Sequence, residues 1–155
     1  MKRLTINKQI LQDELNVELI GAIDEDSDFK ELIGLDQKNI SFDFEKVTMI
    51  NSCGIREWIK FLEKIPEQSH IVYNNCPQII IEQINMVHGF FRKGASINSF
   101  YAPYYCEKCG KEKKIHLNAE QVKNRKAPKI ECPQCGEEME FDAIEAQYFG
   151  FLGRV

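Results

Sequence analysis

C-E-K-C-G at 106–110 and C-P-Q-C-G at 132–136 decide how the last third of this chain is built. Two residues between paired cysteines let one tight turn aim both sulfurs at a common point. Two such turns, with 22 residues between them, supply four soft ligands at tetrahedral geometry, the donor set of a closed structural Zn²⁺ site. Gly110 and Gly136 follow the pairs at once and can take the positive φ that lets the backbone pass beneath the metal. A redox dithiol needs one pair placed after a strand, so the doubled motif points to one zinc ion held by Cys106, Cys109, Cys132 and Cys135. Four thiolates leave no open position for a substrate, which makes the ion structural rather than catalytic. His116 lies between the pairs, but the shell is already full.

Downstream of the second pair, M-E-F at 139–141 is expected to pair with K-I-H-L at 114–117 and close a ribbon over 106–141. Asp142 and Glu145 have the spacing of a capping box. Ile144, Tyr148, Phe151 and Leu152 then give a closing helix over 142–155 an apolar stripe that docks on the preceding domain.

Upstream, the first hundred residues alternate strand and helix signals. Leu4 and Ile6 alternate with polar neighbours, and V-E-L-I at 17–20 makes a stronger strand, ended by Gly21 and the D-E-D run at 24–26. Phe29, Leu32 and Ile33 predict a short helix capped by Ser27 or Asp28. I-S-F-D-F at 40–44 alternates as a strand, and a turn-rich stretch leads from it to N-S-C-G at 51–54. Ile55, Trp58, Ile59 and Leu62 mark one face of a second helix, closed by Pro66. H-I-V-Y at 70–73 is the next strand. Pro77 then opens a helix with Ile80, Ile84, Val87 and Phe91 on one face, and a last strand from about Ser96 to Tyr105 runs into the first cysteine pair. Strands alternating with short helices predict an α/β fold over 1–105, with helices packed on the sheet.

Three segments in that order, G-A-I-D at 21–24, I-S-F-D-F at 40–44 and M-I-N-S-C-G-I at 49–55, resemble a STAS domain. That is the fold of bacterial anti-sigma factor antagonists and of sulfate-transporter tails. The resemblance covers about residues 1–105 and implies a STAS-like mixed sheet with helices, to which the ribbon is an addition. It also implies a non-enzymatic regulatory role. The partner would be an anti-sigma-type kinase or a larger signalling assembly, gripped through the loop Asn51, Ser52, Cys53, Gly54 and the helix after it. In family members that act as phospho-switches, the second serine of the motif accepts phosphate. Cys53 stands there in this chain, and Asn51 replaces the preceding aspartate. Ser52 keeps a hydroxyl at the position that is not the usual acceptor, so binding is expected to be constitutive or set by another signal. Asp24 and Asp43 match acidic positions that flank the loop in the family.

Composition bounds the alternatives. At 155 residues and 43% hydrophobic content the chain suits one ordinary domain or a small domain with an appendage. No stretch approaches the ~18–20 apolar residues of a membrane span, and no signal-peptide segment is expected at the N-terminus. Six cysteines, four of them at metal spacing, fit a reducing cytoplasm. The net charge of −4 conceals a basic ribbon: residues 106–136 carry 8 basic and 4 acidic side chains. Nucleic-acid binding by that ribbon is the second reading. Against it, no Phe, Tyr or Trp lies between Cys106 and Cys135 to stack a base, and the four thiolates absorb part of the positive excess. A third reading makes Cys53, at a helix N-terminus whose field favours an anion, a thiol sensor of oxidants. Its alternative is a small residue buried under the helix's first turn.

Overall fold

The computed structural model describes residues 3–153. Met1, Lys2, Arg154 and Val155, the ends of the segments read from the sequence, lie outside them. The fold is mixed α/β: a five-stranded mixed sheet, a second antiparallel sheet and three helices.

The first sheet runs in sequence order: β1 (Thr5–Leu11), β2 (Glu14–Ile23), β3 (Asn39–Ile50), β4 (His70–Asn74) and β5 (Ser96–Ile97). Only β1 is antiparallel to its neighbour; the rest are parallel. Gly21 does not end β2. It sits inside the strand at φ 108, beside a register shift against β3, so its missing Cβ serves a bulge rather than a stop. The stretch after 44 is not turn-rich either, because β3 continues to Ile50. Val47, Met49 and Ile50 pair with Gly21, Ala22 and Ile23. Between β2 and β3 the expected helix is a single 3-10 turn, Lys30–Leu32. Asp28 Oδ1 accepts from its first N–H at 2.9 Å; Phe29 and Leu32 are buried, while Ile33 is exposed.

Helix α1 (Ser52–Glu63) and helix α2 (Gln78–Met86) connect the parallel strands. They cover the sheet face that carries Val17, Leu19, Phe42, Phe44, Ile71 and Tyr73. Its centre is an aromatic nest. Trp58 of α1 is fully buried, with its ring edge-on to Phe42 at 4.9 Å and to Phe44 at 5.5 Å. Each such pair adds about 0.5–1.5 kcal/mol beyond area burial. The indole N–H meets the Tyr73 hydroxyl at 3.0 Å, and that hydroxyl donates to the Phe90 carbonyl at 2.7 Å, so the two polar atoms deepest in the nest are satisfied. Helix α2 stops at Met86, short of Val87 and Phe91, which nevertheless pack against the same core. Arg92 closes the other end of α1. Its guanidinium donates to the carbonyls of Ile65, Pro66 and Ser69 at 2.8, 2.9 and 2.8 Å, tying down the exit turn of the helix.

The strand expected from Ser96 to Tyr105 is broken at Asn98 into β5 and β6 (Ser99–Cys106). The break is a change of partners. Asn98 N–H still bonds Tyr73, whereas its carbonyl already accepts from Ala119, one residue beyond the second sheet's Lys111–Asn118 strand. That sheet has the order β7 (Lys111–Asn118), β6, β8 (Glu140–Phe141). M-E-F therefore pairs with β6, Phe141 opposite Tyr104, and not with K-I-H-L. Burial explains it. β6 carries buried Phe100, Ala102 and Tyr104 and belongs in the middle, while lysine-rich β7 is mostly exposed and suits an edge.

The C-terminal helix α3 (Glu145–Tyr148) is one turn long and passes into a 3-10 turn, Phe149–Gly153. The capping box does not form. Asp142 N–H bonds Pro103 in the sheet, and the Glu145 carboxylate accepts from Ala127 N–H at 2.6 Å instead. Phe149 and Phe151 are fully buried against Phe100, and Asn85 of α2 donates to the Tyr148 carbonyl at 3.0 Å. Ile144, counted in the apolar stripe, is exposed. A one-turn helix shows a different face from the long one that the stripe assumed, and Phe149 takes the buried place. No helix among the described residues is long and apolar enough to cross a membrane.

Candidate metal centre and the helix-terminus loop

Each cysteine pair sits on the turn of its own hairpin. β6 and β7 carry the first. The second is held by Glu131 bridging Glu138, by Cys132 N–H on Glu137 at 2.7 Å and by Met139 N–H on Ile130 at 2.8 Å. The two turns repeat one geometry. Gly110 N–H bonds Cys106 at 2.8 Å with φ 65, and Gly136 N–H bonds Cys132 at 2.9 Å with φ 78. A Cβ on either glycine would meet nothing within 4 Å, so handedness of the backbone, not space, selects glycine.

The turns bring the four sulfurs together. Cys106 Sγ lies 3.5 Å from Cys135 Sγ, Cys109 Sγ lies 3.9 Å from Cys132 Sγ, and all four fall within 4.8 Å of one another. A tetrahedron with metal–sulfur bonds of about 2.3 Å has edges of about 3.8 Å. These spacings fit that figure and are far beyond the ~2.05 Å of a disulfide. The four cysteines are thus close enough to share a metal ion. Cys106 and Cys132 are buried; Cys109 and Cys135 are half-buried.

The protons resist a metal-free cluster. Backbone N–H groups of Cys135 and Gln134 draw the Cys132 thiol down to about 6, while hydrogen bonding with Cys135 and Cys106 pushes the Cys109 thiol up to about 12. The first thiolate forms at Cys132 and discourages the next, since like charges at this range repel. A divalent cation removes that repulsion, so metal uptake and proton release are coupled.

The loop at the start of α1 has a separate logic. Asn51 caps the helix, its Oδ1 accepting from Gly54 N–H at 2.9 Å and its Nδ2 donating to Glu25 at 2.9 Å. Asn51 N–H bonds the Ile23 carbonyl at 3.2 Å, which fixes the loop to the end of β2. Gly54 is buried there, and a Cβ on it would lie 2.1 Å from Ile23 O. Ser52 is exposed, and Cys53 is half-buried. No protein-family model matches this chain, and no curated protein does.

The structure gathers Asp24, Asn51, Ser52, Cys53 and Gly54 at one corner of the sheet and leaves Asp43 elsewhere. Asp24 is buried, with Oδ1 accepting from Asp26 N–H at 2.9 Å, so it shapes the turn after β2 rather than facing outward. Asp43 lies seven residues before the end of β3, roughly 20 Å along a strand, on the face away from the helices. There it accepts from Asn75 Nδ2 at 3.1 Å. His116, near the cysteines in sequence, turns to the same place and meets Asn75 Oδ1 at 2.8 Å. The aromatic run F-Y-A-P-Y-Y forms a seam: Phe100 packs on the C-terminal phenylalanines, and Tyr104 bonds the Pro128 carbonyl at 2.8 Å. The sequence reading passed over Glu25 and Arg92. The only signal for Glu25 was an acidic run, and Arg92 had none, since its carbonyl partners come from one distant bend.

Proposed function

We propose that the protein is a non-enzymatic interaction module, a STAS-like α/β domain that docks a regulatory protein and carries a ribbon locked by one structural Zn²⁺. The observation that carries the zinc part is the sulfur tetrahedron. Four thiolates complete the coordination of zinc and leave its charge at about −2, which the lysines of the ribbon offset. Native mass spectrometry is expected to show one zinc per chain, lost on Cys132→Ser; a preparation folded and metal-free under reducing conditions would overturn it.

The docking part rests on the helix-terminus loop. Asn51 and Gly54 hold it rigidly against β2, while the Ser52 side chain projects into solvent at the positive end of α1. A preformed, half-exposed turn of this kind meets a partner with little ordering cost. Support for a cytoplasmic bacterial signalling setting comes from the sequence resemblance and from the metal spacing of four of the six cysteines. Affinity capture from cells of the source organism is expected to recover an anti-sigma or kinase-type regulator with the wild type and to lose it with Ser52→Arg, zinc content unchanged. Equal recovery by both proteins would refute the loop as the docking site.

A second reading, nucleic-acid binding, draws on the basic tip K-N-R-K at 123–126. Lys123 bridges Lys126, and Asn124 and Arg125 both have positive φ, at 53 and 56. Such a two-residue turn favours asparagine followed by glycine, so an arginine there is strained. A salt-sensitive mobility shift abolished by Arg125→Gly would favour this reading over the first.

A further inference from the structure

Polar side chains dominate the face of the first sheet that the helices leave uncovered, although Val72 stands beside Ser41 on it. Cross-strand register places Asn16 beside Ser41, and Glu18 beside Asp43 beside Asn74, with Asn98 following. Parallel strands are normally buried on both faces. Here the second face is instead the floor of a cleft of about 610 Å³, walled by β1 on one side and by β7 with its exit on the other.

Three properties of this cleft select a ligand class. Among the described residues it offers no free cation: Lys8 turns its ammonium to the Glu31 carbonyl at 3.1 Å, and Lys46 is paired with Glu18 at 3.3 Å, so there is no cradle for phosphate or nucleic acid. No Phe, Tyr or Trp of the described residues lines it, and Val17 at its floor turns its side chain to the helix-covered face, so an apolar molecule would gain little from entering. Carboxamides make up half of the lining side chains, and each presents both donors and an acceptor. Part of that capacity is unused. Asn16 accepts from Ser41 at 2.6 Å and Asn74 accepts from Asn98 at 3.1 Å, yet neither amide N–H₂ has a protein acceptor among the described residues. A peptide strand is a poorer match, because the floor is a sheet face whose backbone groups already pair with each other.

One wall is held in advance. Asn75 sits at φ 53, and its side chain links Asp43, His116 and Ser99 at 3.1, 2.8 and 3.1 Å. Left-handed backbone at a residue whose carboxamide ties three elements together is local strain spent on fixing a site. Hydroxyl groups are the ligand chemistry that uses paired donors and acceptors without charge. We propose that this cleft binds a neutral polyhydroxylated molecule, a sugar of mono- to disaccharide size. The proposal is independent of the loop at α1, which lies off the cleft.

Saturation-transfer NMR on the zinc-loaded full chain would test it, using neutral mono- and disaccharides that differ in epimer and linkage, with inorganic phosphate and uridylate oligomers as controls. At least one sugar is expected to show saturable transfer, weakened tenfold or more by Asn16→Ala and by Asn74→Ala. Both positions are half-exposed on the sheet, and circular dichroism with zinc content would verify folding. No transfer from any sugar at tens of millimolar, transfer indifferent to both variants, or binding of the anions instead would each overturn the assignment.

Discussion

Replacing Gly54 by alanine sets two effects of opposite sign against each other. Alanine inside a helix is favoured over glycine by about 1 kcal/mol, so intrinsic propensity alone predicts a more stable protein. Packing predicts the reverse. The new Cβ would stand 2.1 Å from Ile23 O, 2.4 Å from Ile23 C and 2.7 Å from Asp24 N, all of them backbone atoms of a strand end that cannot rotate away. Restoring ordinary contact requires the first turn of α1 to retreat by about 1 Å, an overpacking strain of about 1–3 kcal/mol. The same retreat stretches the 2.9 Å bond from Gly54 N–H to Asn51 Oδ1, and a lost cap adds about 1 kcal/mol. The net expectation is destabilisation by about 2 kcal/mol, or a fall of about 4–8 °C in Tm for a chain of this size. Urea unfolding of the zinc-loaded protein, followed by Trp58 fluorescence, would read it as a lower midpoint at unchanged slope. A Gly54→Ala protein as stable as wild type, or more so, would show that α1 does not press on β2 as described.

Other consequences concern the thiols, the helix end and the buried phenols. Stripping the metal with a chelator at neutral pH should be accompanied by proton uptake, because ligating thiolates reprotonate as the ion leaves; a weakly buffered indicator titration reads it, and no uptake would refute thiolate ligation. Arg92→Ala should cost about 2–4 kcal/mol by denaturant unfolding, since it strips charge-assisted bonds from several carbonyls at the exit of α1, and Arg92→Lys should recover less than half of that. Burial raises the Tyr104 hydroxyl from 10.0 to about 12. A raised acid favours the folded state fully below its unfolded value, so this contribution should persist to about pH 10 and vanish as pH climbs towards 12. A spectrophotometric titration of phenolate, with Tyr104→Phe as reference, would follow it.

Local signals carried most of the fold. Apolar period and turn residues marked β2, β4, α1 and α2, and the spacing of the cysteines named four groups that do converge within 4.8 Å. What stayed hidden depends on contacts between distant segments. Asn98 looks like any strand residue, yet the chain changes sheets there because its two backbone groups answer to Tyr73 and Ala119. Asp142 and Glu145 have the spacing of a cap, but Pro103 and Ala127 compete for them and win. The cleft was half legible. Asn16, Ser41 and Asp43 alternate visibly with apolar neighbours, whereas their assembly with Asn74 on one floor depends on strand order, which alternation does not encode.

Strand order also bears on how the chain leaves the ribosome. Each strand of the first sheet pairs with the one made just before it, so every newly emerged segment finds its neighbour already waiting. Nascent domains fold from their N-terminal end, and contacts close in sequence form soonest. Cys132 and Cys135 reach the outside long after Cys106, and Phe149 and Phe151 later still. Gathering of the four cysteines and sealing of the aromatic seam therefore come after the strands of the first sheet have all been made, and until then the ribbon hangs from a sheet that already has its full set of strands.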